Sequence, residues 1–180
     1  TGKTIAFGRL DDGADIVETS YLFMGLLTAR EYFNNDSDQE KYFRNRVNQL
    51  WYTANWNWHS KGENNMLYWH WSPVNDWDMN FPVRGWNECL ITYIMSASSP
   101  NKGISWDVYN NGWVNSATYR NGKPYYGINL PLGFEYGGPL FFAHYTFMGI
   151  DPHGLKDWAT DYFEQNKNHV VTYVPIQSLG

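Results

Sequence analysis

The chain has one cysteine, few cations and no long apolar run, and each shortage removes a class of protein. Cys89 among 180 residues has no partner for an internal disulfide and cannot build a multi-cysteine metal site. It leaves the compartment open, because exported bacterial enzymes often carry no disulfide. The 13 Lys and Arg are scattered without a basic stripe and the net charge is −5, so nucleic acid and anionic membranes are poor partners and a neutral ligand fits better. No apolar stretch approaches the roughly 20 residues of a membrane span, and Thr1 opens no signal peptide, so an exported form would have lost its signal. The five histidines show no HExxH-like spacing, which argues against zinc, and neither a Gly-rich phosphate loop nor a GxSxG elbow is present. No metal and no cofactor are expected.

What the chain has instead is aromatic side chains, at 19%, and seven of its ten tryptophans lie between Trp51 and Trp86. That stretch is too polar to be a core segment. Its indoles alternate with Asn57, His59, Asn64, Asn65, His70, Asn75, Asp76 and Asp78. Flat indole faces stack on the apolar faces of pyranose rings while amides, imidazoles and carboxylates hydrogen-bond hydroxyls, so the composition points to a carbohydrate site. Trp69, Trp71, Trp77 and Trp86 are the expected stacking surfaces, His70, Asp78 and Asn87 the expected polar contacts, and Trp51 continues a helix face as core.

Helical periodicity predicts five helices and a single domain over residues 1–180. The first runs from Ala14 to about Phe33 with Asp12 as N-cap and Asp15 in the capping-box position. The second, Ser37 to about Asn55, has the pair Ser37 and Glu40 and an apolar face of Phe43, Val47, Leu50, Trp51 and Ala54. A third spans Gly85 to about Ala97, a fourth starts at Pro139 and ends near Met148, and a fifth runs from His153 to Asn168 with Leu155, Trp158, Ala159, Tyr162 and Phe163 on one face. Asn121-Gly122 marks a hairpin turn. The long connections 56–84 and 98–134 are of the kind that carries function.

Asp15 and Glu18 lie three apart on one helix face, preceded by Asp11 and Asp12. Acids favour helix N-termini for electrostatic reasons alone, so this group is either ordinary capping or a carboxylate cluster facing a sugar cleft. Glu88 opens an apolar helix beside Trp86 and Asn87, where partial desolvation favours the protonated form that a glycosidase acid needs. It is equally readable as a hydrogen-bonded structural Glu. Glu135, in Gly133-Phe134-Glu135-Tyr136-Gly137-Gly138, is a further candidate for ligand contact, and His144 reads as core.

Four ordered motifs then converge. Asp11-Asp12-Gly13-Ala14-Asp15-Ile16-Val17-Glu18-Thr19-Ser20-Tyr21-Leu22, Gly85-Trp86-Asn87-Glu88, Gly137-Gly138-Pro139-Leu140-Phe141-Phe142-Ala143-His144-Tyr145 and Gly149-Ile150-Asp151-Pro152 resemble the bacterial glucoamylase-like family, which includes the endo-β-1,2-glucanases of glycoside hydrolase family 144. The likeness runs from about residue 5 to 168, and the tail His169-Val170-Val171-Thr172-Tyr173-Val174-Pro175 departs from it. The resemblance implies an all-α fold forming about half of an (α/α)6 toroid, an inverting hydrolase of β-glucan, and a periplasmic or secreted location. It implies Glu88 as general acid and places Asp15 and Glu18 in the catalytic centre, with Asp11 available through a relayed water; the three motif acids are expected to share one concave site. Five helices against the twelve of a full toroid imply exposed apolar helix faces, hence a second chain or further segment to cover them. They also keep open a non-catalytic carbohydrate-binding or scaffold role.

Overall fold

In a computed structural model, residues 8–177 are described, with side chains to Thr172. About half of the residues are helical. In chain order the regular elements are β1 (Ala14–Asp15), α1 (Ile16–Tyr32), α2 (Asp38–Thr53), β2 (Leu67–Tyr68), β3 (His70–Trp71), β4 (Pro82–Val83), α3 (Leu90–Ser98), α4 (Trp106–Tyr109), β5 (Arg120–Tyr125), β6 (Ile128–Leu132), α5 (Leu140–His144) and α6 (Tyr162–Gln177), joined by short 3-10 and π turns. No helix among the described residues is long and apolar enough to cross a membrane. They form two compact units, one of the residues up to Val83 with Ile91–Gly112, the other of Arg84–Leu90 with the residues from Trp113 onward.

In the first unit, α1 buries Ile16, Val17, Ser20, Phe23 and Met24, which recur at helical spacing. Phe23, Trp51 and Trp56 pack with centroids 5.3–5.6 Å apart in tilted and edge contacts, joining α1, α2 and the 3-10 turn Trp56–Ser60. Ser37 caps α2 by accepting from the Glu40 backbone N–H, while the Glu40 carboxylate accepts from the Asn35 backbone and side chain. Buried Tyr93 on α3 donates to the Val83 carbonyl and accepts from Leu67 N, tying β4 and β2 together from below. The expected apolar face of α2 is only partly covered: Val47 is buried, whereas Leu50 is 45% exposed, and on α1 Leu22 is 60% exposed.

The second unit is built around Trp86. Its ring stacks on Tyr162 at 5.7 Å and meets Trp113 and Tyr119 in tilted and edge geometry. The Tyr119 and Tyr162 hydroxyls lie 2.6 Å apart, and Tyr162 donates to Asp157 Oδ2 at 2.7 Å.

Several boundaries differ from the sequence reading, each for a local reason. Asp15 caps α1 in place of Asp12, because Ala14–Asp15 is extended and paired with β3. Helix α3 starts at Leu90, after a turn in which Asn87 Oδ1 accepts from Cys89 N, so Glu88 precedes the helix. Residues 153–161 are not helical: Asp157 Oδ1 accepts from Ala159 N and Thr160 N, and Asp161 Oδ1 then caps α6 through Phe163 N and Glu164 N. The hairpin turns at Tyr126-Gly127, both at positive φ; Asn121-Gly122 forms a bulge within β5, with Asn121 Oδ1 accepting from Lys123 N.

Gly137 has φ +87°, and a Cβ there would land on the buried His169 imidazole. Gly137→Ala therefore combines backbone strain with overpacking and should lower stability by about 2–4 kcal/mol, read as a shift in the urea midpoint.

Candidate functional site

The acidic cluster grows from the meeting of β1 with β3. Asp15 pairs with His70 and Ala14 with Trp71, and Ile16 N donates to the Trp69 carbonyl at 3.1 Å. Gly13 allows this approach, since a Cβ would strike the Trp71 carbonyl and the Pro73 ring. Asp15 then serves two structures at once. Its Oδ1 accepts from Val17 N (2.9 Å) and Glu18 N (3.0 Å) at the start of α1. Its Oδ2 accepts from the Trp69 indole N–H at 3.1 Å and lies 3.3 Å from His70 Nε2. Asp11 Oδ2 lies 3.6 Å from the same imidazole nitrogen, and the Trp69 and His70 rings stack within 10° of parallel. With the proton on Nε2, His70 is held between two carboxylates.

Tryptophans also line a cleft that the chain neighbours of Asp15 and His70 help to form. A cleft of about 310 Å³ is lined by Ala14, Ile16 and Thr19 from the start of α1 and by Trp56, Trp58, His59 and Trp71. His59 is buried and its Nδ1 lies 2.8 Å from the Tyr68 carbonyl, which fixes the proton there. Burial holds its pKa below the ordinary histidine value, and the Tyr68 carbonyl and Asp15 charge oppose that shift only in part. His59 is therefore neutral at pH 7.

Among the expected residues, Asp11, Asp15, Trp69, His70 and Trp71 come together here. Glu18 is exposed on the first turn of α1, its backbone N–H held by Asp15. Trp77 belongs to the same surface, in edge contact with His59 and Tyr68, while Asp78 is exposed on the following turn. The other four lie in the second unit. Trp86 is 1% exposed with its faces against Tyr162, Tyr119 and Trp113, which corrects the expectation of a stacking platform: it is core. Asn87 spends its amide on the local turn, donating to the Arg84 carbonyl and accepting from Cys89 N. Glu88 is half-buried, and its carbonyl accepts from Thr146 Oγ1 at 3.3 Å. Glu135 is exposed and pairs with Lys123 at 3.3 Å.

Trp58 was not among the expected contacts. Its signal was present in Trp56-Asn57-Trp58-His59, where a single tight turn buries Trp56 and His59 and leaves Trp58 outside.

Comparison with known proteins places this arrangement in context. The family model described as "Putative glucoamylase" matches residues 80–174, just over half of the chain. The match takes in most of the tail after Asn168, correcting the expectation that the likeness ends there; that tail continues α6. The exo β-1,2-glucooligosaccharide sophorohydrolase (non-reducing end) of Parabacteroides distasonis is 45% identical over 186 residues, covering 93% of this chain and 26% of its own length. A solved Bacteroides uniformis protein described as a putative glucoamylase is 53% identical with a TM-score of 0.91, and the endo-β-1,2-glucanase of Chitinophaga pinensis, solved with sophorotriose and glucose, is 49% identical with a TM-score of 0.88. Each of these alignments covers 96% of this chain and 42% of the solved one. The chain thus spans about a quarter of the sophorohydrolase and less than half of the two solved proteins.

Two outcomes follow from the geometry. Asp15→Ala removes the α1 cap and orphans the Trp69 and His70 donors together, so it should cost about 2–4 kcal/mol in urea unfolding, with Asp15→Asn losing less because an amide oxygen still caps. Burial also depresses His59, His144 and His169 below their unfolded values. Their contribution to stability is full above about pH 6.5 and is lost as pH falls through the folded values, so thermal midpoints should drop from pH 7 to pH 5. His59→Gln should flatten part of that slope.

Proposed function

The chain belongs to the glucoamylase-like family, and from that premise we propose that it is part of a glycoside hydrolase that acts on β-glucan, with β-1,2-linked glucan as the substrate. The observation that carries this reading is the Asp11–Asp15–His70 cluster next to a tryptophan-lined cleft, whose lining includes Ala14, Ile16 and Trp71, the chain neighbours of Asp15 and His70. The β-1,2-glucan activities for which the Parabacteroides and Chitinophaga relatives are named support the linkage. The helices are read as part of an (α/α)6 toroid within one catalytic domain, completed by a further segment or a second chain. A polymeric glucan as substrate favours a periplasmic or secreted site of action.

Hydrolysis is assigned an inverting course, as the family resemblance implies. Glu88 protonates the glycosidic oxygen as the bond to the anomeric carbon breaks, while a water attacks that carbon from the opposite face and gives its proton to a carboxylate. Asp15 is assigned the holding role. A carboxylate offers about four acceptor positions, and those of Asp15 are taken by Val17 N, Glu18 N, Trp69 and His70. The water-side base is then Asp11 or Glu18, with His70 fixing the orientation of Asp11. Trp69, Trp71 and Trp77 supply stacking surface.

A second reading draws on the chain's short span against its relatives: a carbohydrate-binding protein without hydrolytic activity. Incubation with β-1,2-, β-1,3-, β-1,4- and α-1,4-glucans separates the two, since hydrolysis releases sugar from one linkage class and mere binding releases none. Glu88→Gln should slow cleavage of unactivated β-1,2-glucan on the order of 10²-fold or more, while a substrate with a good leaving group suffers much less. Equal losses on both substrates would remove Glu88 from the acid role. Asp11→Asn should slow both substrates alike if Asp11 is the base.

A further inference from the structure

We infer that Trp58 and Trp77 form a second sugar position, which binds a pyranose unit of the glucan beyond the acidic cluster without taking part in cleavage. The inference rests on the β-glucan reading for its ligand and on the following geometry for its place.

Trp58 is 51% exposed and is shared by two clefts, the one beside Asp15 and another of about 350 Å³ lined by Asn55, Asn57, Trp58, Lys61, Gly62 and Trp77. Three tryptophans make a row. Trp71, in register beside the Asp15–His70 pair, lies 6.0 Å from Trp58, and Trp58 lies 6.3 Å from Trp77, centroid to centroid. None of the six residues lining the second cleft is an acid, so it lacks the pair of carboxyl groups that glycoside hydrolysis requires. It does hold indole faces for the apolar side of a sugar ring and the Asn55, Asn57 and Lys61 side chains for its hydroxyls.

The platform is also fixed before a ligand arrives. Trp56, His59 and Ser60 are buried on the same turn, Ser60 Oγ donates to the Asn57 carbonyl at 2.8 Å, and Asn57 N donates to the Lys102 carbonyl at 3.1 Å. Lys61, at φ +56°, closes the turn with its N–H on the Trp58 carbonyl. Its ammonium sits 3.5 Å from the Tyr68 ring centroid and donates to Asn80 Oδ1 at 2.6 Å. A surface held this firmly gives up little conformational entropy on binding.

The test is a length series of β-1,2-gluco-oligosaccharides on the whole protein, wild type against Trp58→Ala, with binding by calorimetry and cleavage measured in parallel. Loss of one stacking face should weaken binding of the longer oligosaccharides about tenfold and raise their KM similarly, while the shortest ligands and kcat change less than about twofold. The melting temperature should hold, because half of the Trp58 surface already faces solvent. Uniform losses at every length, or a lowered melting temperature with them, would make Trp58 a packing residue and overturn the inference. Unchanged binding and cleavage at every length would also overturn it while leaving the hydrolase reading intact. Length-dependent loss of binding in a protein that cleaves nothing would uphold the sugar position and sink the hydrolase reading. A wild type that binds no glucan would sink both.

Discussion

Everything around the candidate site depends on how the Asp15 carboxylate is shared. One oxygen closes the first turn of α1, where backbone N–H groups have no intrahelical partner. The other receives Trp69 and His70, which are 54 and 55 positions further along the chain. A single side chain thereby fixes the direction in which α1 leaves β1 and the face that β3 presents. Because side chains alternate along a strand, holding His70 toward the carboxylates turns Trp71 to the other side, where it meets Trp58. The aromatic surface is in this sense an extension of a helix cap.

The second unit solves a similar problem with a buried ring. Trp86 cannot stack on sugar, and its burial is what gives the next two residues a fixed setting: Asn87 closes the turn and Glu88 emerges half-buried, its carbonyl held by Thr146. The anchor is itself held by Tyr162, whose hydroxyl is shared with Tyr119 and Asp157. Asp157 both receives that hydroxyl and breaks the chain before α6. Loss of an aromatic in this set would reach Glu88 through packing alone.

The sequence was legible where local chemistry and tertiary demand agreed. Ser37 caps α2 as its spacing from Glu40 suggests, and α5 opens after Pro139 as expected. It misled where a side chain had a distant partner. By spacing Asp12 reads as the cap of α1, and it is the pairing of Ala14–Asp15 with β3, remote in sequence, that makes Asp15 the cap instead. The face Leu155, Trp158, Ala159 has helical period, yet Asp157 offers the backbone a competing turn, and Trp158 instead lies under Arg120 with the guanidinium 3.7 Å from its ring. Asn121-Gly122 is a strong turn signal used for a bulge, since Asn121 is drawn to Tyr125 and the Phe134 carbonyl.

The tryptophans show the same limit from another side, because composition says that they are many and nothing about which are covered. Trp56 and Trp58 differ by two positions on one turn, and one is buried while the other is half in water. Leaving that much indole in solvent forgoes stabilisation that burial would supply, on the order of 25 cal/mol for each Å² of apolar surface. Trp158 recovers part of this through Arg120, whereas Trp58 meets Trp71 and Trp77 in edge and tilted contacts and lines two open clefts. A rigid, unburied aromatic that lines two clefts is a poor way to stabilise a fold and a good way to hold a ligand with one apolar face. That asymmetry, more than the count of tryptophans, is why the surface is read as a sugar track.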